Sequence, residues 1–272
     1  MIELPEAQVL ADQINASLTG KTITSVIAAF SPHKFAWYHG DPEMYERLLV
    51  GKVIDSARPY GGLVEIRAEN ARLVFGDGVT LTYLEPGSNL SRHQLFLGFA
   101  DGSALYAQVQ MYGGLWAFRE GDFANPYYQV AQEKVSPLSD SFSWQYFSSL
   151  TAEGAKGSVK AFLATQQRIP GLGNGVLQDI LFRARLHPKR KVAALTSPEL
   201  RGLYDSVRAT LKEMREQGGR DTEKDLFGRP GGYRTIMSKN NLGAPCPNCG
   251  AEIKKEAYLG GSVYYCSQCQ TI

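Results

Sequence analysis

Four cysteines constrain this chain more than any other feature. They are the only cysteines in 272 residues, and they stand as Cys246-Pro247-Asn248-Cys249 and Cys266-Ser267-Gln268-Cys269 with sixteen residues between the pairs. That is the spacing of a four-thiolate metal site on a two-stranded ribbon. Zinc takes four ligands in a tetrahedron about 2.3 Å from each sulfur, and two tight knuckles deliver paired thiolates from opposite sides. The stretch contains no histidine, so a Zn2+ ion here is expected to be structural. Two disulfides are the alternative. No secretory leader and no run of about 18 apolar residues is present, so the expected setting is the cytoplasm, which disfavours disulfides.

Charge is divided unevenly. Residues 1–155 carry 10 Lys+Arg against 17 Asp+Glu, a net −7, while residues 156–272 carry 19 against 10, a net +9. A polyanionic partner is therefore expected on the second half; a solvated imbalance is the plain alternative.

The apolar period also changes along the chain. Residues 5–19 read as a helix, with Pro5 in its first turn, Val9, Leu10, Ile14 and Leu18 at helical spacing and Gly20 at its end. From Lys21 to about Ala117 the period is two. Short strands are expected at Thr22–Ala29, Leu63–Ala68, Leu73–Phe75, Thr80–Leu84, Gln94–Ala100, Ala104–Gln110 and Gly114–Phe118, with a short helix over 42–49. Turns such as Asp77-Gly78 and Asp101-Gly102 punctuate them. Beyond a polar linker the pattern turns helical at Trp144–Leu150, Val159–Ala164, Asn174–Arg185 and Pro198–Gln217, the last with Ser197 as N-cap. The fold class is thus α+β and multidomain. We expect an N-terminal helix with an antiparallel β-sandwich over 1–119, a linker over 120–139, a helical domain over 140–240 and a zinc ribbon over 241–272. A glycine-rich mobile loop is expected over 218–245.

Two further stretches carry chemistry. Met1-Ile2-Glu3-Leu4-Pro5-Glu6 sets two carboxylates beside a terminal amine. Such an amine titrates at about 7.7–8.0 and is a nucleophile when positioned, with Glu3 able to move protons. A terminus tucked against its helix is the plain reading. Ile169-Pro170-Gly171-Leu172-Gly173-Asn174 precedes a helix start, where backbone N–H groups and the Asn174 amide suit an anion such as phosphate. A turn between packed helices is the alternative. Arg183, Arg185, Lys189, Arg190 and Lys191 follow as a basic stretch.

Together these blocks resemble the formamidopyrimidine-DNA glycosylase and endonuclease VIII family of base-excision repair enzymes. The resemblance rests on Glu3-Leu4-Pro5-Glu6, on Ala161-Phe162-Leu163 to Gly171-Leu172-Gly173-Asn174, on Leu181-Phe182-Arg183-Ala184 to His187-Pro188, and on the cysteine ribbon. It spans essentially the whole chain. It implies a helix and β-sandwich followed by a helix-two-turn-helix domain and zinc ribbon, with damaged or abasic DNA between the halves. The damaged base is flipped out of the duplex, and an N-terminal amine attacks C1′ to form a Schiff base. Met1 or Ile2 would then bear the amine and Glu3 carry protons. Glu6, Asn174, Gly171, Gly173, Arg183, Arg185 and Lys189 would contact DNA, and Tyr112 would act as the wedge.

The chain departs from the family pattern at the chemistry. Ile2 stands where the family has proline, and its bulk predicts that Met1 is retained. Gly62 replaces a lysine, Gly261 a ribbon-tip arginine, and Gln110-Met111-Tyr112-Gly113 an arginine-phenylalanine pair. Gly76-Asp77-Gly78-Val79 replaces the family's His-x-Gly-Met turn. Two functions follow: a divergent glycosylase with AP lyase activity, or a binding protein for damaged DNA or structured RNA that kept the scaffold. In either case a monomer is expected. In a third reading the 218–245 loop sets base preference through Arg220, Lys224, Phe227, Tyr233 and Lys239.

Overall fold

The computed structural model describes residues 1–88 and 92–272. Its first half contains α1 (Leu4–Ser17), β1 (Ile23–Ala28), β2 (Ala36–Trp37), α2 (Tyr45–Leu49), β3 (Ile54–Tyr60), β4 (Leu63–Ala68), β5 (Ala71–Gly76), β6 (Val79–Leu84), β7 (Leu95–Phe99), β8 (Ala104–Val109) and β9 (Gly113–Arg119). These strands form a four-stranded sheet in the order β1-β7-β8-β6 and a five-stranded sheet in the order β2-β9-β5-β4-β3. Alternation places Leu73, Phe75, Leu81, Leu95, Leu97, Leu105 and Leu115 in one core between the sheets, and α1 adds Leu10, Ile14 and Leu18.

The sheets are antiparallel as expected, apart from the two-residue parallel pairing of β2 with β9. Strand β3, absent from the sequence-based expectation, pairs antiparallel with β4 along its length. Its Asp55, Arg58 and Pro59 hide the alternation, which is tolerable because β3 is a sheet edge.

The second half contains α3 (Pro126–Glu133), α4 (Trp144–Gly154), α5 (Val159–Ala164), α6 (Val176–Arg183), α7 (Ser197–Glu216), β10 (Ile253–Tyr258) and β11 (Gly261–Cys266). The stretch read as a linker holds α3, capped by the Asn125 side chain, which accepts from the Tyr127 and Tyr128 N–H groups at 2.9 and 3.1 Å. Tyr128 and Ala131 pack on Leu63, Val74, Trp116 and Phe118, the outer face of the five-stranded sheet. The N-cap of α7 is Thr196, not Ser197. Its hydroxyl accepts from the Glu199 N–H at 3.4 Å, and the Glu199 carboxylate accepts the Thr196 N–H at 2.8 Å.

The 218–245 segment, expected to be a mobile loop, is pinned to both halves. Leu226 is buried in the sandwich core, and its carbonyl accepts the Tyr83 N–H at 2.8 Å. Tyr233 is buried among the helices and donates to Asp179 at 3.0 Å, and Asp179 also accepts the N–H groups of Ile236 and Met237. The N-terminus joins the same halves in a shorter span, since Ile2 packs in the sandwich core and Leu4 in the helical core. Among the described residues no helix is long and apolar enough to cross a membrane.

Candidate active site and nucleic-acid interface

Two helix N-termini meet at Glu3. Residue 3 is the N-cap of α1, and its backbone N–H donates to the Glu6 carboxylate at 3.3 Å. The Glu3 side chain reaches across to α6, whose own N-cap, Gly175, has no side chain to offer. There it accepts the N–H groups of Gly175 at 2.8 Å and Val176 at 2.7 Å. The glycine turn therefore does bind an anion, but that anion is a carboxylate of the same chain. A Cβ on Gly173 would lie 2.5 Å from Glu3 Oε1, so glycine is required for the carboxylate to fit. Gly171 has a different task. At φ +76° its carbonyl accepts the Leu4 N–H at 2.9 Å, and a Cβ there would run into the backbone of Gly61 and Gly62. Neither glycine presents an open cradle for phosphate, which corrects the expectation.

One arginine closes the cluster. Arg220 is 2% exposed, and its Nε and Nη2 donate to the two Glu6 oxygens at 2.9 and 2.8 Å. Its Nη1 lies 3.5 Å from Glu3, and Nη2 lies 4.0 Å from Glu223. Burial raises the Glu3 pKa above the ordinary value and Arg220 only partly offsets it. Burial acts on Glu6 in the same sense, but the direct two-point contact with Arg220 outweighs it and holds Glu6 low. The difference follows from geometry: Glu6 receives two charge-assisted hydrogen bonds, whereas Glu3 faces the guanidinium at a longer distance. Glu6 is turned inward beneath Arg220, so the expected contact with DNA is not what its position provides.

The Met1 ammonium forms an ion pair with Glu223. The Ile2 N–H donates to the Asp77 carbonyl at 2.8 Å. Asp77 occupies a turn at φ +57°, and burial raises its carboxyl pKa. The Tyr127 hydroxyl, pushed up to about 12 by burial and by Asp77, lies beside that carboxylate. Tyr112 is half-buried, and its hydroxyl is also pushed up, first by burial and then by Asp77 and Glu3. Glu3, Asp77 and Tyr112 thus surround the start of the chain.

The expected basic contacts divide. Arg183 is neutralised by Glu213 at 2.6 Å and also donates to Tyr233 at 3.3 Å. Lys189 is neutralised by Glu256 of the ribbon at 2.6 Å. Arg185 is exposed, at φ +57°. Asn174 donates to the Ser262 carbonyl at 2.9 Å, against Gly261, and its Oδ1 is buried without a partner. Of the loop residues proposed for base contact, Arg220 and Tyr233 are buried, and Phe227 is 39% exposed.

The four cysteines are free thiols whose sulfur atoms all lie within 4.8 Å of one another. A tetrahedron with Zn–S bonds of about 2.3 Å has sulfur edges of about 3.8 Å. The Cys246–Cys269 and Cys249–Cys266 distances of 3.8 and 3.5 Å fit that frame. The donor set can hold a metal. Gln270 fastens this end of the ribbon by donating to the Leu186 carbonyl at 3.0 Å.

The sequence-based reading missed Glu223, Asp77 and Tyr127 as neighbours of the N-terminus, and it assigned Arg220 to a loop. The one available signal was Arg220 directly following Gly218-Gly219, a glycine pair able to bend the chain back toward α1.

Comparison with known proteins places this arrangement. Residues 134–225 match the family described as the formamidopyrimidine-DNA glycosylase H2TH domain. The formamidopyrimidine-DNA glycosylase of Geobacillus kaustophilus is 30% identical over 287 residues, covering 99% of this chain and 100% of that protein. That of Bacillus cereus is 28% identical over 278 residues, covering 99% of each. The crystal structure of MutM (Fpg) from Thermus thermophilus matches with a TM-score of 0.81 at 26% identity over 98% of both chains. The Lactococcus lactis Fpg in complex with abasic-site DNA shares the fold at a TM-score of 0.84 and 23% identity, over 99% of this chain and 100% of that one. From its first residues to its cysteine ribbon, this chain belongs to the formamidopyrimidine-DNA glycosylase family.

Proposed function

We propose that this protein binds damaged or abasic DNA along the seam between its halves and excises a base beside Glu3. In this reading the terminal amine of Met1 is the nucleophile, once its ammonium has passed a proton to Glu223. Its nitrogen bonds to C1′ as the glycosidic bond breaks. The base leaves with the bonding electron pair and takes up a proton carried by Glu3. The C1′–O4′ bond then opens, O4′ takes up a proton released by the amine nitrogen, and the C1′=N Schiff base forms. The supporting observation is that Met1 is not left loose: Glu223 pairs with its ammonium, and Glu223 also faces Arg220 within the Glu3 cluster. The raised pKa of Glu3 suits a proton carrier. The four thiolates would hold Zn2+ as a structural ion, and the reading takes the protein as a cytoplasmic monomer.

Borohydride reduction in the presence of abasic-site DNA tests the chemistry. A covalent adduct with abasic-site DNA is expected with the wild type; on DNA that still carries a damaged base, the adduct is expected to be lost with Glu3→Gln, whose amide cannot protonate the leaving base. If no adduct forms on single- or double-stranded substrates, the amine route fails.

The second reading is a binding protein for damaged DNA or structured RNA. It is favoured by the Ile2 nitrogen, where the family has its proline amine. Here it is a peptide N–H committed to the Asp77 carbonyl. Salt-sensitive binding that survives Glu3→Gln, with no strand cleavage, would support it.

A further inference from the structure

One corner of the five-stranded sheet is left uncovered and carries three arginines. Strand register sets Ser56, Arg67, Arg72 and Phe118 in one row across β3, β4, β5 and β9. It sets Arg58, Glu65, Val74 and Trp116 in the next row of the same outer face. Helix α3 packs on Val74, Trp116 and Phe118 and leaves the far end of both rows open. A cleft of about 380 Å³ results, walled by the arginines, by Gln129 and Gln132 from successive turns of α3, and by the half-buried rings of Tyr60 and Phe123.

Residues 1–155 hold only 10 Lys+Arg against 17 Asp+Glu, so three arginines on adjoining positions are a local reversal of charge. Arg67 and Arg72 stand directly opposite each other on one face, an arrangement that costs stability unless negative charge lies nearby. The carboxylates present do not fully supply it. Arg72 is 4% exposed and already committed: its Nη2 pairs with Glu120 at 2.6 Å, and its Nη1 donates to the Glu69 and Ala71 carbonyls at 2.9 and 2.8 Å. Glu65 accepts from the Tyr128 hydroxyl and lies 3.8 Å from Arg72 Nε. Arg67 reaches only Asp55, at 3.7 Å, with both side chains half-exposed. Arg58 is exposed and holds no ion pair among the described residues. Two guanidinium forks therefore stand ready for an anion, with the buried Arg72 beneath them.

We propose that this cleft binds a nucleoside 5′-monophosphate, with the phosphate on Arg58 and Arg67 and the base toward Phe123 and the two glutamines. Guanidinium forks match phosphate oxygens two at a time. Strands in a sheet lie about 4.8 Å apart, so Arg58 on β3 and Phe118 on β9 are separated by about 14 Å, within the reach of a mononucleotide. Phe123, stacked on Phe118 with ring centres 4.4 Å apart, closes the far end with an aromatic ring, and such rings accept any base. Gln129 and Gln132 each offer an amide donor and acceptor to a base edge. Glu65, opposite Arg58 in the register, is placed to accept from the ribose hydroxyls between the two ends. The site shares no residue with the Glu3 cluster, so its occupancy and the proposed base excision stand or fail separately.

Calorimetric titration of the full-length, zinc-loaded protein with AMP, GMP, CMP and UMP tests the assignment, with the matching nucleosides and inorganic phosphate as part-ligands. At least one mononucleotide is expected to bind at a single site, and more tightly than its nucleoside or phosphate alone. Arg58→Ala and Arg67→Ala should each weaken that binding on the order of 10- to 100-fold. Arg67→Lys should fall between, because an ammonium keeps the charge and loses the fork. Both arginines are exposed, so the variants should keep the wild-type melting temperature and the wild-type yield of borohydride adduct. Absence of mononucleotide binding at millimolar concentration, or binding that both alanine variants retain, overturns the site. Phosphate alone binding as tightly as the mononucleotide overturns the nucleotide assignment. Competitive displacement of the mononucleotide by abasic-site duplex overturns it as well, since the cleft would then belong to the path of the DNA.

Discussion

Glu3 and Glu6 share one arginine yet titrate on opposite sides of their ordinary values, and stability must follow. Glu6 is held low in the fold, so the stability it contributes is present above its unfolded pKa. That contribution is lost as pH falls through the native value. Glu3 is held high, so between its ordinary and native values the folded protein binds more protons than the unfolded one, and stability falls as pH rises. Denaturant melts from pH 4 upward should therefore show the wild-type advantage over Glu3→Gln shrinking with rising pH. The advantage over Glu6→Gln should grow as pH rises toward the ordinary carboxylate value. Parallel curves for the two variants would mean that Arg220 does not distinguish them. At this scale the carboxylates were legible in the sequence, because Glu3 caps a helix and Glu6 stands in its first turn. Arg220 was not, because its partners lie more than 200 residues away and no local period marks it.

Among elements, legibility followed how closely the apolar residues keep the local period. The expected Leu63–Ala68 and Val159–Ala164 match β4 and α5 residue for residue. The 218–245 segment failed because its anchors, Arg220, Leu226, Tyr233 and Met237, sit at irregular intervals and each enters a different environment. Gly171 shows how much one turn carries between elements. It and Gly218 share φ +76°, but a Cβ at Gly171 meets the Gly61-Gly62 backbone, whereas at Gly218 it meets nothing within 4 Å. Gly218→Ala should cost about 1–2 kcal/mol, the left-handed penalty alone. Gly171→Ala should cost clearly more, and it should also disturb the Glu3 cluster through the lost Leu4–Gly171 hydrogen bond. Equal midpoints in urea would show that the two halves are not clamped at this turn.

For the whole molecule, the split of −7 and +9 suggested where a polyanion would bind but not how many of its cations are free. Many of the second-half cations are already neutralised: Arg183 by Glu213, Lys189 by Glu256, Arg190 by Glu199 and Arg220 by the buried carboxylates. Only unpaired cations release counterions when they meet phosphate, and each adds about 0.9 to the slope of log affinity against log salt. Arg185 is exposed, and Lys254 and Lys255 on β10 are exposed as well. Alanine at Arg185, Lys254 or Lys255 should therefore lower the slope for DNA binding by up to about 0.9 each. Alanine at Arg183 should leave the slope nearly unchanged, because Glu213 and not phosphate is its counter-charge. A marked fall in slope for Arg183→Ala would show that DNA displaces Glu213 and that the basic stretch of the sequence contacts phosphate after all.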